Sequence, residues 1–206
     1  MFIGCRRAQE AMAKGRSDLI LRDRMQFDLD ASGDVATLYG RIDLSDYVSI
    51  PKSEGLKIKE VRFQVRNPNL TVTGSFDQRL TQDVNTSKFA SLKLYSTTTA
   101  YETAVDVGIG SPNVINVVEH QAYNNVVEQG GTNVGGNTFV SYFEYGVPDL
   151  HPEGFPVVTD LLIGVAARGA THYANTTLEL DIMLIAEPVK LTKDDMEQML
   201  TQATDL

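Results

Sequence analysis

Apolar and polar residues alternate along most of the chain, from about Phe27 to Pro188. The clearest alternation covers residues 177–186, where one parity holds the apolar residues Leu178, Leu180, Ile182, Leu184 and Ala186. The other parity is mostly polar, with Thr177, Glu179 and Asp181. A period of two places the apolar side chains on one face, so this segment predicts a half-buried β-strand.

Further segments of the central part follow the same pattern. Alternation predicts strands over 38–45 and 101–109, and β-forming residues predict others near 70–76, 89–96, 113–119, 138–145 and 157–166. Between Leu56 and Val65 the alternation changes parity, which predicts a one-residue β-bulge near Lys59 or Glu60. Turn residues, including the glycine cluster 130–136, separate the strands. The pattern predicts an all-β sandwich or barrel of about eight or nine strands.

The pattern changes to a helical one after residue 190. Thr192 is a candidate N-cap with Asp195 three residues later, and Leu191 and Met196 are placed to form a hydrophobic staple. A narrow apolar stripe follows, made of Met196, Met199, Leu200 and Ala203. So short a helix is marginal alone, so we expect it to dock either on its own domain or on a neighbouring copy.

The first 25 residues differ from the rest in charge. They hold six basic residues against three acidic ones, a balance of +3, so the remaining 181 residues carry −12. They have too few large apolar residues for a core, although a short helix over 6–14 is expected. We therefore predict an N-terminal basic arm over 1–25, a sandwich over 26–190 and a C-terminal helix over 191–206.

Composition narrows the class of protein. A chain of 206 residues with 42% hydrophobic residues and a net charge of −9 suits one acidic globular domain, not a dedicated nucleic-acid binder. One cysteine, Cys5, excludes an internal disulfide framework. No apolar run approaches the roughly 18 residues of a membrane span. Arg6 and Arg7 stand where a signal peptide needs its apolar core, so secretion by that route is not expected.

The residue types that carry catalysis are few and scattered. The three histidines are His120, His151 and His172, and no G-x-S-x-G nucleophile motif accompanies them. One cysteine and three separated histidines do not form a zinc pattern, and the glycine cluster lacks the lysine of a phosphate-binding loop. We expect no catalytic site, no metal and no cofactor, although a calcium ion between loops stays open.

Aromatic residues on the strand near 138–145 allow two interpretations. Tyr142, Phe143 and Tyr145 are candidates for a sugar-binding face, but their mixed parity puts Tyr142 on the opposite side from the other two. The chain also has no tryptophan. Core packing is therefore the favoured prediction.

Three stretches carry a family resemblance. They are residues 38–66, the segment 160–165 with the strand 178–186 after it, and residues 189–192 leading into the terminal helix. With a basic arm before them, they resemble the single jelly-roll coat proteins of icosahedral viruses, including those of environmental and archaeal virus genomes. The resemblance implies an eight-stranded antiparallel jelly-roll sandwich with an N-terminal arm and a short C-terminal helix.

The resemblance also implies a function. The chain would self-assemble through pentamers or hexamers into a capsid shell, as its major protein, and reside in the virion after synthesis in the host cytoplasm. Other capsid proteins are possible partners. An inward-facing arm would make weak genome contact through Arg6, Arg7, Lys14, Arg16, Arg22 and Arg24. The helix would form a subunit interface through Leu191, Met196, Met199, Leu200 and Ala203.

The arm departs from the long arginine-rich tails of many small coat proteins. A balance of +3 puts direct condensation of a genome in doubt. So weak a positive charge is compatible with a shell that a packaging motor fills or with a shell that lines a membrane. It is also compatible with an arm whose main role is to connect subunits. The alternatives are a carbohydrate- or receptor-binding jelly-roll module of a virion appendage and, least favoured, an unrecognised β-sandwich enzyme.

Overall fold

The computed structural model describes residues 18–81, 88–129, 132–146 and 154–204. Nine strands and one helix form in these ranges: β1 (Leu19–Asp28), β2 (Val35–Ile42), β3 (Glu54–Arg66), β4 (Lys88–Thr97), β5 (Val114–Gln129), β6 (Thr132–Gly146), β7 (Phe155–Val157), β8 (Leu161–Arg168), β9 (Thr177–Lys190) and α1 (Lys193–Thr204). Short 3₁₀ turns lie at Ile50–Lys52, Ala104–Asp106 and Thr171–Tyr173.

The strands form two antiparallel sheets packed face to face. One sheet has the order β1-β9-β3-β7 and the other has the order β2-β8-β4-β5-β6. Most consecutive strands alternate between the sheets, as in a jelly roll. The all-β sandwich is therefore confirmed, with nine strands in place of eight. The additional strand is β6, which forms a hairpin with β5 at the edge of the five-stranded sheet.

The apolar parity of each strand faces the space between the sheets. All five apolar residues named for β9 are buried, at 0–4% exposure. They pack with the inward residues of β3, β4 and β8, among them Leu56, Leu94 and Ile163, all at 0%. One apolar layer between two sheets is thus the core of the protein.

The bulge in β3 is confirmed. Ile58 pairs with Ala186 and Glu60 pairs with Ile185, so Lys59 is the extra residue. The shift lets Ile58 and Val61 both face the core, at 1% and 2% exposure. The Lys59 ammonium meanwhile lies 2.6 Å from the Asp18 carboxylate and 3.0 Å from that of Glu187. The bulge therefore reconciles the two apolar parities and directs a cation outward.

Two predicted strands are wrong. Residues 70–73 form turns and 74–76 have no regular structure, and residues 101–109 form a loop with a 3₁₀ turn. The second loop lies on the outer face of the five-stranded sheet, where Ala104 and Val107 join Tyr95 and Val117 in a small apolar cluster. The alternating parity does not become a buried face, since Val105 and Ile109 are exposed at 87% and 75% while Ala104 of the other parity is buried.

Three boundaries also differ from the predictions. β1 begins at Leu19, so the sandwich starts inside the segment predicted as an arm. The predicted strand 157–166 is divided into β7 and β8. The glycine cluster predicted as a loop is partly strand, because pairing of β5 with β6 continues to Gln129 and Thr132. The helix predicted over 6–14 lies outside the described residues.

We expect Gly164→Ala to destabilise the fold. A Cβ at this position would overlap the ring of Tyr95, which is 0% exposed and hydrogen-bonded through its hydroxyl to that of Tyr39 at 2.9 Å. Overpacking of this kind costs about 3 kcal/mol. Chemical denaturation measures the loss. Gly110→Ala is the matched control, since nothing lies within 4 Å of its Cβ position, and an equal loss in both variants would contradict the account.

Candidate functional site

The histidines do not build a catalytic group in the described ranges. His120 lies on the inner side of β5, with its ring 5.3 Å from that of Phe76 and 5.0 Å from that of Tyr142. Phe76 in turn stacks on Tyr173 at 5.3 Å, and Tyr173 contacts His172 at 4.6 Å. Both histidines thus belong to a row of packed rings. His151 lies outside the described residues.

Burial determines the protonation of His120. The residue is 9% exposed, and its Nδ1 finds no hydrogen-bond partner in the part of the chain that the structure describes. Desolvation of the charged form lowers the pKa of His120 to about 4. The ring is therefore neutral near pH 7 and behaves as a packing group between aromatic neighbours.

The cavities and acidic groups give no stronger candidate. A cavity of about 180 Å³ lies beside α1 and is lined by Thr98, Asn113, Met199 and the segment 155–159, with no titratable side chain. Within the described residues, no three His, Cys, Asp or Glu side chains are grouped to hold a metal ion. None of the helices described there has the length and hydropathy needed to cross a bilayer.

The most unusual feature of the molecule is the exposure of aromatic residues along β6. Tyr142, Phe143 and Tyr145 are 47%, 38% and 38% exposed, so the prediction that they pack in the core is wrong. For Tyr142 the reason is the unequal width of the sheets, because β6 is the fifth strand of its sheet and its inner side has no opposing strand. Phe143 and Tyr145 lie on the outer side of β6, and the apolar cluster around Tyr95 does not include them.

The exposed residues of β6 continue across the neighbouring strands. Strand register aligns Phe89 of β4, Tyr123 of β5 and Phe139 of β6 in one row, with exposures of 56%, 44% and 56%. On the same face, the rings of Phe143 and Tyr145 stack with centroids 6.0 Å apart. We call this region the β6 surface, and it comprises Phe89, Tyr123, Phe139, Val140, Tyr142, Phe143 and Tyr145. Apolar patches of this kind mark interaction sites.

The outer face of the other sheet is charged and internally paired. Arg24 of β1 is hydrogen-bonded to Asp181 of β9, and Arg66 of β3 lies 3.6 Å from both Glu179 and Asp181. The Asp181 hydrogen bond raises the pKa of the Arg24 guanidinium above its usual value. These ions satisfy one another, so this face differs in chemistry from the β6 surface.

The structure divides the residues predicted for the arm. Arg22 and Arg24 lie in strand β1 and not in a separate arm, because the alternating residues Leu21, Met25 and Phe27 turn inward. Arg6, Arg7, Lys14 and Arg16 lie outside the described residues. The sequence pattern did not predict this strand because Asp23 interrupts the apolar parity between Leu21 and Met25.

The terminal helix docks on its own sandwich. Met196 is 4% exposed, Met199 and Leu200 are half-buried, and Leu191 packs against the backbone of Gly55 in β3. The cap is as predicted, with the Asp195 backbone N–H donating to the Thr192 hydroxyl at 3.1 Å. Ala203 lies in α1, and its side chain is outside the description. Met196 is thus covered within one chain.

No protein-family model, curated protein or solved structure matches the chain. The functional argument therefore depends on the fold and its surfaces, above all on the β6 surface.

We expect Met196→Ala to lower the free energy of unfolding by about 2–4 kcal/mol, because a buried side chain is removed from an apolar site. The loss should not depend on protein concentration, since the contact lies within one chain. Thermal unfolding at two concentrations measures it, with the exposed Gln198→Ala as the control. A loss seen only at high concentration would place Met196 between copies.

We expect His120 to make stability fall between about pH 6.5 and pH 4. The unfolded chain binds a proton below 6.5, whereas the folded chain binds it only near 4, so the unfolded state gains protons first as the pH falls. From pH 7.5 to 4.5 the free energy of unfolding should drop by about 2–3 kcal/mol more in the wild type than in His120→Gln. Urea titrations at both pH values measure this, and parallel pH profiles would contradict it.

Proposed function

We propose that this chain is a structural coat protein that self-assembles into an icosahedral capsid shell, as its major capsid protein. The observation that carries the proposal is the β6 surface, an uncovered apolar strand edge on a jelly roll whose opposite sheet face is polar and ion-paired. The resemblance of the sequence to single jelly-roll coat proteins supports the same conclusion.

The physical properties of the sandwich suit a shell subunit. Two packed sheets form a rigid body whose edges and loops can meet neighbours. Each contact can be weak, since a closed shell multiplies it through avidity. In this proposal, pentamers or hexamers are the intermediate assemblies, and other capsid proteins complete the particle. The protein is synthesised in the host cytoplasm and resides in the virion.

The N-terminal segment has a secondary role in the proposal. Residues 1–17 carry Arg6, Arg7, Lys14 and Arg16 against one acidic residue, Glu10. A positive segment on an acidic chain can contact phosphate groups where it approaches them. We assign it weak contact with the genome or with a neighbouring subunit, and we do not assign that role to Arg22 and Arg24.

A second candidate function is favoured by a specific observation. Exposed aromatic rings offer faces on which a sugar can stack, and Tyr142, Phe143 and Tyr145 are exposed on β6. A carbohydrate- or receptor-binding module of a virion appendage would use these rings for a ligand, and it would stay small in solution.

We expect the purified full-length chain to form uniform closed particles under electron microscopy. The yield should rise with salt, because screening reduces repulsion between copies that each carry −9. A chain that stays monomeric at high salt and high concentration would contradict the shell. Glycan binding by that monomer, lost in Tyr142→Ser, would instead support the second candidate.

A truncation tests the role of the N-terminal segment. A chain that lacks residues 1–17 keeps the whole of β1, so it should stay folded while assembling less well. A longer deletion of 1–24 would remove most of β1 and confuse loss of assembly with loss of the fold. Unchanged assembly of the shorter deletion would exclude a role for the segment.

A further inference from the structure

The two sheets have four edge strands, and three of them carry features that prevent pairing with another chain. β1 has exposed charged residues at Arg22, Asp23 and Arg24. β2 has a register irregularity after Val35, and β7 has only three residues, one of them Pro156. Charge, irregularity, proline and shortness are the devices that proteins use to protect sheet edges.

β6 has few of these protections, since its register irregularity lies at Val134, outside the segment 136–145. It is 15 residues long, contains no proline, and carries Glu144 as its single charged residue. Among the described strands it pairs only with β5, so its other edge presents unpaired backbone groups. A long apolar edge of this kind is a template for pairing with a further strand.

We propose that the occupant of this edge is β6 of a second copy of the chain. The two strands pair antiparallel across a two-fold axis at Ser141, which joins two five-stranded sheets into one continuous sheet. This inference rests on the proposed function, since it assigns one subunit contact of the shell. The interface is isologous, as expected for a two-fold contact.

The sequence of β6 selects the register. An axis at Ser141 places Phe139 opposite Phe143 and Val140 opposite Tyr142, so every central apolar residue meets another apolar residue. Cross-strand pairs of this type stabilise a sheet. An axis at Tyr142 would instead place Val140 opposite the carboxylate of Glu144. An axis at Glu144 would oppose two like charges.

Charge favours a second copy at this location. Two chains of net charge −9 repel each other over most of their surfaces. The carboxylate of Glu144 lies 3.6 Å from the Arg62 guanidinium, which also contacts Glu60, so the one charge on β6 is partly compensated. In the proposed register it faces Thr138 of the partner copy. Two acidic chains can therefore approach here without opposed charges.

The exposed aromatic area on β6 itself is smaller than a standard interface. With roughly 150–250 Å² per aromatic side chain, the exposed fractions of Phe139, Tyr142, Phe143 and Tyr145 amount to roughly 270–450 Å², of which pairing at the edge covers a part. A standard stable interface buries about 800 Å² per partner. The pairing alone therefore gives a weakly associated dimer, and a closed particle gains stability because it repeats the contact many times.

Disulfide trapping tests the pairing and its register. In full-length chains with Cys5→Ser, the variant Ser141→Cys should form disulfide-linked dimers on mild oxidation, because opposed residues have Cα atoms about 4.5–5.5 Å apart. Phe139→Cys alone should link at least about tenfold more slowly, since its counterpart lies about 13 Å away along the strand. A mixture of Phe139→Cys and Phe143→Cys chains should link to each other. Equal trapping at every position would overturn the register.

A charge variant tests the pairing independently. Ser141→Lys should raise the dissociation constant of the dimer by about tenfold or more in sedimentation velocity, since lysine protects an edge strand. Ile20→Lys is the matched control, because Ile20 is 52% exposed on the edge strand β1. It should associate as the wild type does. Circular dichroism and urea unfolding establish that both variants are folded.

The outcomes separate this inference from the shell proposal. Particles that form normally with Ser141→Lys, and show no trapping at position 141, would overturn the β6 contact and leave the shell intact. Trapped dimers that never build larger assemblies would support the contact and overturn the shell. A chain that is monomeric under all conditions, without trapping, would overturn both.

Discussion

The structure depends on one apolar layer enclosed between two sheets of unequal width. Each strand contributes one parity of side chains to that layer, and β9 does so through five consecutive inward residues. A four-stranded sheet covers only part of a five-stranded one, so the enclosure ends before β6. The residues that would extend the core are consequently at the surface. The arrangement that buries the core of the sandwich thus also explains why the inner side of β6 stays exposed.

Charge is distributed around this layer in a consistent way. The outer face of the four-stranded sheet has alternating cations and anions in contact, such as Arg66 with Glu179 and Asp181. The outer face of the five-stranded sheet is covered near Tyr95 by the loop 98–113, and further along it exposes aromatic rings. The charged side chains on the outer face of the four-stranded sheet are therefore paired with one another, whereas the outer face of the five-stranded sheet exposes apolar surface to water.

Sequence patterns predicted what depends on local periodicity. The parity change between Leu56 and Val65 identified the bulge, because a strand with two apolar parities must gain a residue to bury both. Thr192 identified the start of α1, since a hydroxyl at that spacing accepts the Asp195 N–H. Both features are determined within about ten residues of chain.

Features that depend on distant strands were not predictable in this way. Alternation at 101–109 is the same whether the residues pair in a sheet or lie across one. The parity of Tyr142 and Phe143 likewise gives no information on whether another sheet covers them. Both answers depend on which strands and loops lie against these residues, which is a property of the whole topology. The sequence therefore identified the residues of the candidate surface but did not show that they are exposed together.

The bulge at Lys59 has a mechanical consequence for the start of the chain. Its ammonium bridges Asp18, the residue before β1, to Glu187 on β9. Two partly solvated ion pairs thus attach Asp18 to the sandwich, and the Asp18 side chain is 49% exposed. Ion pairs of this kind weaken as the ionic strength rises, whereas the packing of the apolar layer beneath them does not. The attachment of Asp18 at the start of β1 therefore responds to the surrounding electrolyte, independently of the apolar layer that stabilises the sandwich.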